Sequence, residues 1–360
     1  MKVHTEKSPA KINRIAIIGT GPVSLLKAYL LAKTDASNLI TLIDSAAQIG
    51  GAWHSDKSPK GYEIENGCHI WSYVPKAYKF IEKEFEIPLF TLRPNPIFIS
   101  KRLRVPYSLK NSVDSYKELF KTAFSLKWNR FKNLHSDPNM NYRIFGKKNK
   151  YPKTGSMVLV HELEKKIHAL AQIKILLRTS VESMNINDTI QITTESDMYE
   201  FDQLFITYVS QIKSLSINGQ AIQLNVQKID YIHFLIDFDK PLKKKLSYWR
   251  ILNDKIVHRI TDISYQTKFE ENLILVGIKG TAYENNTEDD LMTHVIGLLK
   301  RNALIDDSYT IKKIKTHIFP THYLDDSSLE LIRSHKNKIN LMYTPDLMFG
   351  IYYLLEERLI

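Results

Sequence analysis

Apolar and polar positions follow one another in three distinguishable ways along this chain, and each way predicts a different element. At Arg14-Ile-Ala-Ile-Ile18 and at Leu39-Ile-Thr-Leu-Ile43 the apolar residues run on almost unbroken, the pattern of short strands buried on both faces of a parallel sheet. Between them an apolar helix is predicted from Pro22 through Ala28, entered by the turn Gly19-Thr-Gly21. Strand, turn, helix and strand make a βαβ unit. Further on, the alternation around 229–238 and 248–263 predicts strands, and 289–302 has helical spacing. Shorter strands are expected at 173–177, near Val181, at 189–194 and at 203–208. Tyr116, Leu119, Phe120, Ala123 and Phe124 fall on one face of a helix.

The βαβ unit carries chemistry at its turn. Gly19 permits a tight exit from the strand, and Gly21 leaves room for a pyrophosphate to approach the backbone. Pro22 and Val23 open a helix whose first amides are unpaired donors directed at that anion. Ser24 occupies the position of the third glycine of a dinucleotide fingerprint, small enough for helix and strand to pack closely. Asp44, about 20 residues past the fingerprint, stands where a carboxylate accepts hydrogen bonds from a ribose. The unit is expected to bind a dinucleotide.

Two further stretches, Gln48-Ile-Gly-Gly-Ala-Trp53 and Gly61-Tyr-Glu-Ile-Glu-Asn-Gly-Cys-His-Ile-Trp71, resemble the second signature of the FAD superfamily that contains protoporphyrinogen oxidase, the amine oxidases and UDP-galactopyranose mutase. That resemblance implies FAD as cofactor, with Gly50 and Gly51 beside its phosphates and Gly67 and His69 against its ring. It extends weakly over most of the chain. Tyr151-Pro-Lys-Thr-Gly-Ser-Met157 is similar to a helix-opening segment of these flavoproteins, the strands around Val181 to an adenine-side meander, and Phe319-Pro-Thr-His-Tyr323 to a strand that re-enters the FAD domain. The implied fold class is α/β, a Rossmann-like FAD-binding domain with an inserted mixed α+β substrate domain. The implied division is 1–75, 150–215 and 316–360 for the FAD domain, 76–149 for a helical cap and 216–315 for the substrate domain. The C-terminal match, Tyr343-Thr-Pro-Asp-Leu-Met-Phe-Gly350, departs most from the superfamily, lacking its glycines and arginine.

Composition sets bounds on this picture. With 360 residues, 43% of them hydrophobic, the chain can bury cores in more than one domain. One cysteine leaves no intramolecular disulfide, and the polar first residues and the absence of a long apolar run lead to the expectation of a soluble, cytoplasmic protein. A net charge of +11 is either a solvated lysine-rich surface or an attraction for an acidic small molecule or an anionic membrane surface. The candidate clusters are Lys101-Arg-Leu-Arg104, Lys147-Lys-Asn-Lys150 and Lys243-Lys-Lys245. Nucleic acid is not expected, because no recognised motif or aromatic–basic interleaving accompanies the charge.

Residues able to do chemistry are few. No metal-ligand spacing and no nucleophile elbow occurs, and His161, Glu162 and His168 are expected on a helix surface. By the resemblance, His69 touches the flavin, Arg259 ends a substrate-domain strand and points at flavin or substrate, and Tyr343 sits near substrate phosphates. Trp53 and Trp71 either flank the cofactor or belong to a core. Val181 is placed among the cofactor residues. Three functions follow as expectations: an FAD-dependent oxidoreductase dehydrogenating a small organic substrate, a mutase-like flavoenzyme acting on a nucleotide sugar, or a catalytically idle binding protein.

Overall fold

The structure, a computed structural model, describes residues 12–53, 55–57, 63–65, 71, 74–91, 97–99, 104–106, 150–207, 214–244, 248–251, 254–267, 270–335, 339–342 and 347–356. The chain divides into two compact units, each assembled from three separate segments. The first comprises 1–51, 160–228 and 322–345, the second 52–159, 229–321 and 346–360.

The first unit is built on the predicted βαβ element. Strand β1 (Asn13–Ile18), helix α1 (Pro22–Thr34) and strand β2 (Asn38–Ile43) follow in sequence. Ile15, Ala16, Ile17 and Ile18 are all fully buried, as an unbroken apolar run requires when both sheet faces are covered. Burying each isoleucine stabilises the unit by about 1.5 to 3 kcal/mol. β1 and β2 pair in parallel, Ile15 opposite Ile40 and Ile18 opposite Ile43. Strands Gln203–Ile206, Ile339–Leu341 and Ile173–Leu176 complete a five-stranded parallel sheet. Two of the strands expected in a meander, near 173 and 203, thus lie in the parallel sheet instead. The second fits it because Leu204 and Ile206 are fully buried, whereas Ile173–Leu176 is a part-exposed edge strand. The meander itself is a second sheet, Met198–Phe201, Ile190–Thr194, Val181–Ile186, Leu215–Ile217 and Gln220–Ile222 in that order. Both sheets share one core, in which Ala16, Ile18 and Ile43 meet Val181, Met184, Ile186 and Ile192.

Helix Asp326–Ser334 in this unit starts on Asp325, whose carboxylate accepts from the amide of Ser328 at 2.8 Å and from Asn225 Nδ2 at 3.1 Å. The Ser328 amide, with the Asn225 amide group, lowers the Asp325 pKa to about 2. Because the folded pKa lies below the unfolded carboxylate value of about 4, this cap stabilises the unit above pH 4 and is lost as pH falls toward 2. The gap in urea midpoint between wild type and Asp325→Ala is expected to be open at pH 6, to narrow below about pH 4 and to close only below about pH 2. A gap independent of pH would show that the charge contributes nothing.

The second unit centres on a seven-stranded sheet in the order Ile311–Leu324, Val226–Phe238, Asn272–Ile278, Val257–Asp262, Tyr248–Ile251, Ile97–Ile99 and Arg104–Pro106. Helix Glu288–Arg301 covers one face, burying Leu291, Val295, Leu298 and Leu299. The Thr287 hydroxyl caps it, three acids lie in its first turn and two bases in its last, all favourable to the helix dipole. On that face Phe234, Ile236, Ile260, Ile274 and Val276 form the core with the helix. The other face carries a smaller cluster, Ile64, Leu235, Ile263, Leu273 and Leu275. Helix Met157–His168 is present, with His161 exposed on it and His168 beside Glu164 at 3.7 Å, as surface residues. No helix among the described residues is long and apolar enough to cross a membrane.

Candidate functional site

The turn between β1 and α1 is held from within. Gly19 has φ +104°, open to glycine and strained for a side chain, and its amide donates to Ile43 O at 2.8 Å. Thr20, fully buried, donates both its amide and its hydroxyl to Asp44 Oδ2 at 2.7 Å. The other carboxylate oxygen accepts from the Ala46 amide at 2.9 Å, and Asp44 is only 4% exposed. Spacing placed Asp44 on a ribose; the structure gives its carboxylate to the turn, where it fixes Thr20 between the two glycines.

Gly21 is the N-cap of α1 and Pro22 its first residue; no side chain caps this end and no acid lies in its first turn. The positive end of the helix dipole, with its first amides, is therefore open to water or to an anion from outside. A Cβ added at Gly21 would meet nothing within 4 Å, so the space a phosphate needs is present. Gly50 donates its amide to Thr20 O at 3.0 Å, and Gly51, with φ +55°, lies so near that a Cβ there would come within 3.1 Å of Gly21 Cα. The Gly-Gly segment thus returns to the turn. Ser24 is fully buried and hydrogen-bonds Thr207 Oγ1 at 2.6 Å, and Thr207 in turn donates to Ile18 O at 2.7 Å. In the third-glycine position it ties helix to sheet. Gly19, Gly21, Pro22, Val23, Ser24, Gly50 and Gly51 are thereby brought together. Val181 is fully buried in the core that joins the two sheets.

Trp53 belongs to the second unit. Its ring stacks on Trp71, centroids 6.0 Å apart and planes 23° apart, and Trp71 packs edge-on against Tyr151 at 5.9 Å. Trp71 Nε1 donates to Ser156 Oγ at 3.1 Å, Ser156 to Tyr151 Oη at 3.0 Å, and Tyr78 Oη to Trp71 O at 3.0 Å. Trp53 and Trp71 are both buried, so this cluster is an aromatic core with its polar edges satisfied.

Arg259 lies on strand Val257–Asp262 of the second unit. Its Nη2 is 2.6 Å from Nε2 of the fully buried His233. An arginine can only donate, so this imidazole nitrogen accepts. His233 was not singled out by sequence reasoning, being 26 positions away; only strand register joins the two. Gly67, Cys68, His69 and Tyr343, with Arg102, Arg143 and Lys147, lie outside the described residues. No group of three or more potential metal ligands occurs among the described residues.

Residues 17–83 match the family model described as an NAD(P)-binding Rossmann-like domain. No curated protein sequence matches the chain. Among solved structures, a candidate protoporphyrinogen oxidase from Exiguobacterium sp. 255-15 is similar at TM-score 0.65 and 12% identity, over 97% of this chain and 99% of that one. Putrescine oxidase bound to putrescine is similar at TM-score 0.61 and 12% identity, over 97% and 98%. Reduced UDP-galactopyranose mutase is similar at TM-score 0.68 and 12% identity, over 96% and 93%. The chain accordingly shares the fold of these three proteins, with a Rossmann-like unit inside it.

Proposed function

We propose that the protein binds FAD at the β1–α1 turn and acts as an FAD-dependent oxidoreductase on a small organic substrate. The observation that carries this reading is the turn itself: an uncapped helix N-terminus beside a glycine whose side-chain space is open. The amides at the start of α1 would hold the pyrophosphate, Gly21 would let it approach, and Gly50 and Gly51 would pass beside it. Asp44 and Thr20 keep that turn in shape. When bound, the flavin supplies two-electron acceptor chemistry, and the protein supplies orientation and electrostatics. The fold likeness to putrescine oxidase and to the Exiguobacterium protein supports oxidation as the reaction class. Catalytic roles for His69, Arg259 and Tyr343 belong to the same proposal.

A second reading, a mutase-like enzyme for a nucleotide sugar, is favoured by the likeness to UDP-galactopyranose mutase. The missing arginine beside Tyr343, where Leu341 stands, weighs against it, because guanidinium is the group that matches phosphate oxygens. Purified protein is expected to show flavin absorption at about 370 and 450 nm. A colourless protein that takes up no added FAD would refute the proposal and favour an idle binding protein. Binding of uridine diphosphate by dithionite-reduced protein, abolished in Arg259→Ala, would put the mutase first.

A further inference from the structure

We propose that Arg259 and Thr261 form a carboxylate-accepting subsite on the sheet of the second unit, and hence that the substrate carries a carboxylate; this rests on the reading of the protein as an enzyme for a small organic molecule. Strand register defines the place. His233 and Arg259 are both paired with Gly277, on its two sides, and Leu235 and Thr261 are paired with Leu275 in the same way. Cross-strand partners share a face and so do residues two apart. His233, Arg259 and Thr261 therefore stand on the face of Leu235 and Leu275, opposite the face covered by helix Glu288–Arg301.

Gly277 makes the arrangement physically feasible. A Cβ there would come within 2.5 Å of His258 Nε2, 2.7 Å of His258 Cε1 and 2.9 Å of Arg259 Cγ. The absent side chain is replaced by the His258 imidazole and the arginine stem, and over it Arg259 reaches His233. Three basic side chains thus gather around one glycine.

The charge balance is the decisive point. Arg259 gives Nη2 to an imidazole, which brings no negative charge, and its Nε is buried without a hydrogen-bond partner. Among the described residues no carboxylate lies within ion-pair distance of Arg259. Thr261 Oγ1, in a residue 1% exposed, is likewise buried without a partner. Arg259 as a whole is part-buried, but its buried Nε is a donor without an acceptor, and a buried donor left unmade is unfavourable. Both unfilled groups can donate, and they lie on one face two residues apart. What completes them is an acceptor with negative charge. One guanidinium and one hydroxyl suit a singly charged carboxylate better than a phosphate, whose further charge and oxygens would lack donors.

The test is titration calorimetry of the purified full chain with benzoate, phenyl phosphate and benzylammonium, with the visible spectrum recorded on the same sample. Benzoate is expected to bind tightest. Arg259→Met, keeping a stem without charge, should weaken benzoate about ten- to a hundredfold, and Thr261→Val about three- to tenfold. The urea midpoint of Arg259→Met should hold or rise, since a buried unsatisfied donor has gone; a purely structural arginine would lower it. Gly277→Ala should weaken benzoate too, by displacing the arginine stem. Benzoate binding that is absent, or unmoved in both Arg259→Met and Thr261→Val, overturns the subsite, and tighter binding of phenyl phosphate overturns the carboxylate assignment. A yellow protein indifferent to benzoate refutes the subsite alone. A colourless one with Arg259-dependent benzoate binding supports the subsite and refutes the flavin reading.

Discussion

Gly21→Val should abolish flavin retention while leaving the fold standing. The backbone at Gly21 is already extended, φ −67° and ψ 168°, a conformation in which valine is at ease. A Cβ there touches no protein atom, so the fold loses only the difference between glycine and valine as a helix cap, about 1 kcal/mol. The branched side chain instead fills the space through which the pyrophosphate must reach the amides of α1. Losing those charge-assisted hydrogen bonds should lower FAD affinity on the order of a hundredfold or more. The check is the flavin-to-protein absorbance ratio after dialysis, beside a urea unfolding curve. Full retention of FAD would mean that the cofactor lies elsewhere.

Asp44→Ala should act in the opposite sense, on stability first. Three hydrogen bonds from Thr20 and Ala46 end on this buried carboxylate, and alanine leaves two amides and a hydroxyl without an acceptor. Such groups cost about 1 to 3 kcal/mol each when stranded, though not additively, so a loss of about 3 kcal/mol is expected. FAD binding would weaken only through the loosened turn. Thr20→Val should reproduce part of the loss, and the double variant should fall short of the sum. An Asp44→Ala protein with wild-type unfolding and weakened FAD binding would return the carboxylate to a ribose.

These two residues show what could be read from sequence and what could not. Gly21 was legible because strand, turn and helix are local, and the pattern around Gly19 and Pro22 has few other uses. Asp44 was legible as a position but not as a direction: spacing along the chain does not say whether a side chain at a strand end turns outward or back to its own turn. A threonine between the glycines was the available signal, since its hydroxyl and amide both need an acceptor. The strands at 173–176 and 203–206 were found as strands but given to the wrong sheet, because apolar runs of four do not name their partners. The meeting of His233 with Arg259 was beyond reach, being a product of register across Gly277. The bond of Ser24 to Thr207 spans 183 positions and leaves no local trace in the sequence.

The order in which the parallel sheet is stitched has a consequence for the chain as it is made. Strand β1 takes one neighbour, β2, from 25 residues downstream, but its other neighbour begins at Gln203, and that strand's outer partner at Ile339. During synthesis the ribosome thus releases a half-sheet whose apolar edge must wait for most of the polypeptide to emerge. Such long-range closure is slow and leaves unpaired strand edges open to other chains. A nascent chain halted before residue 339 would expose the Gln203–Ile206 edge. The late-made strand thus decides whether the Rossmann-like half reaches a sealed state or becomes a substrate for chaperones.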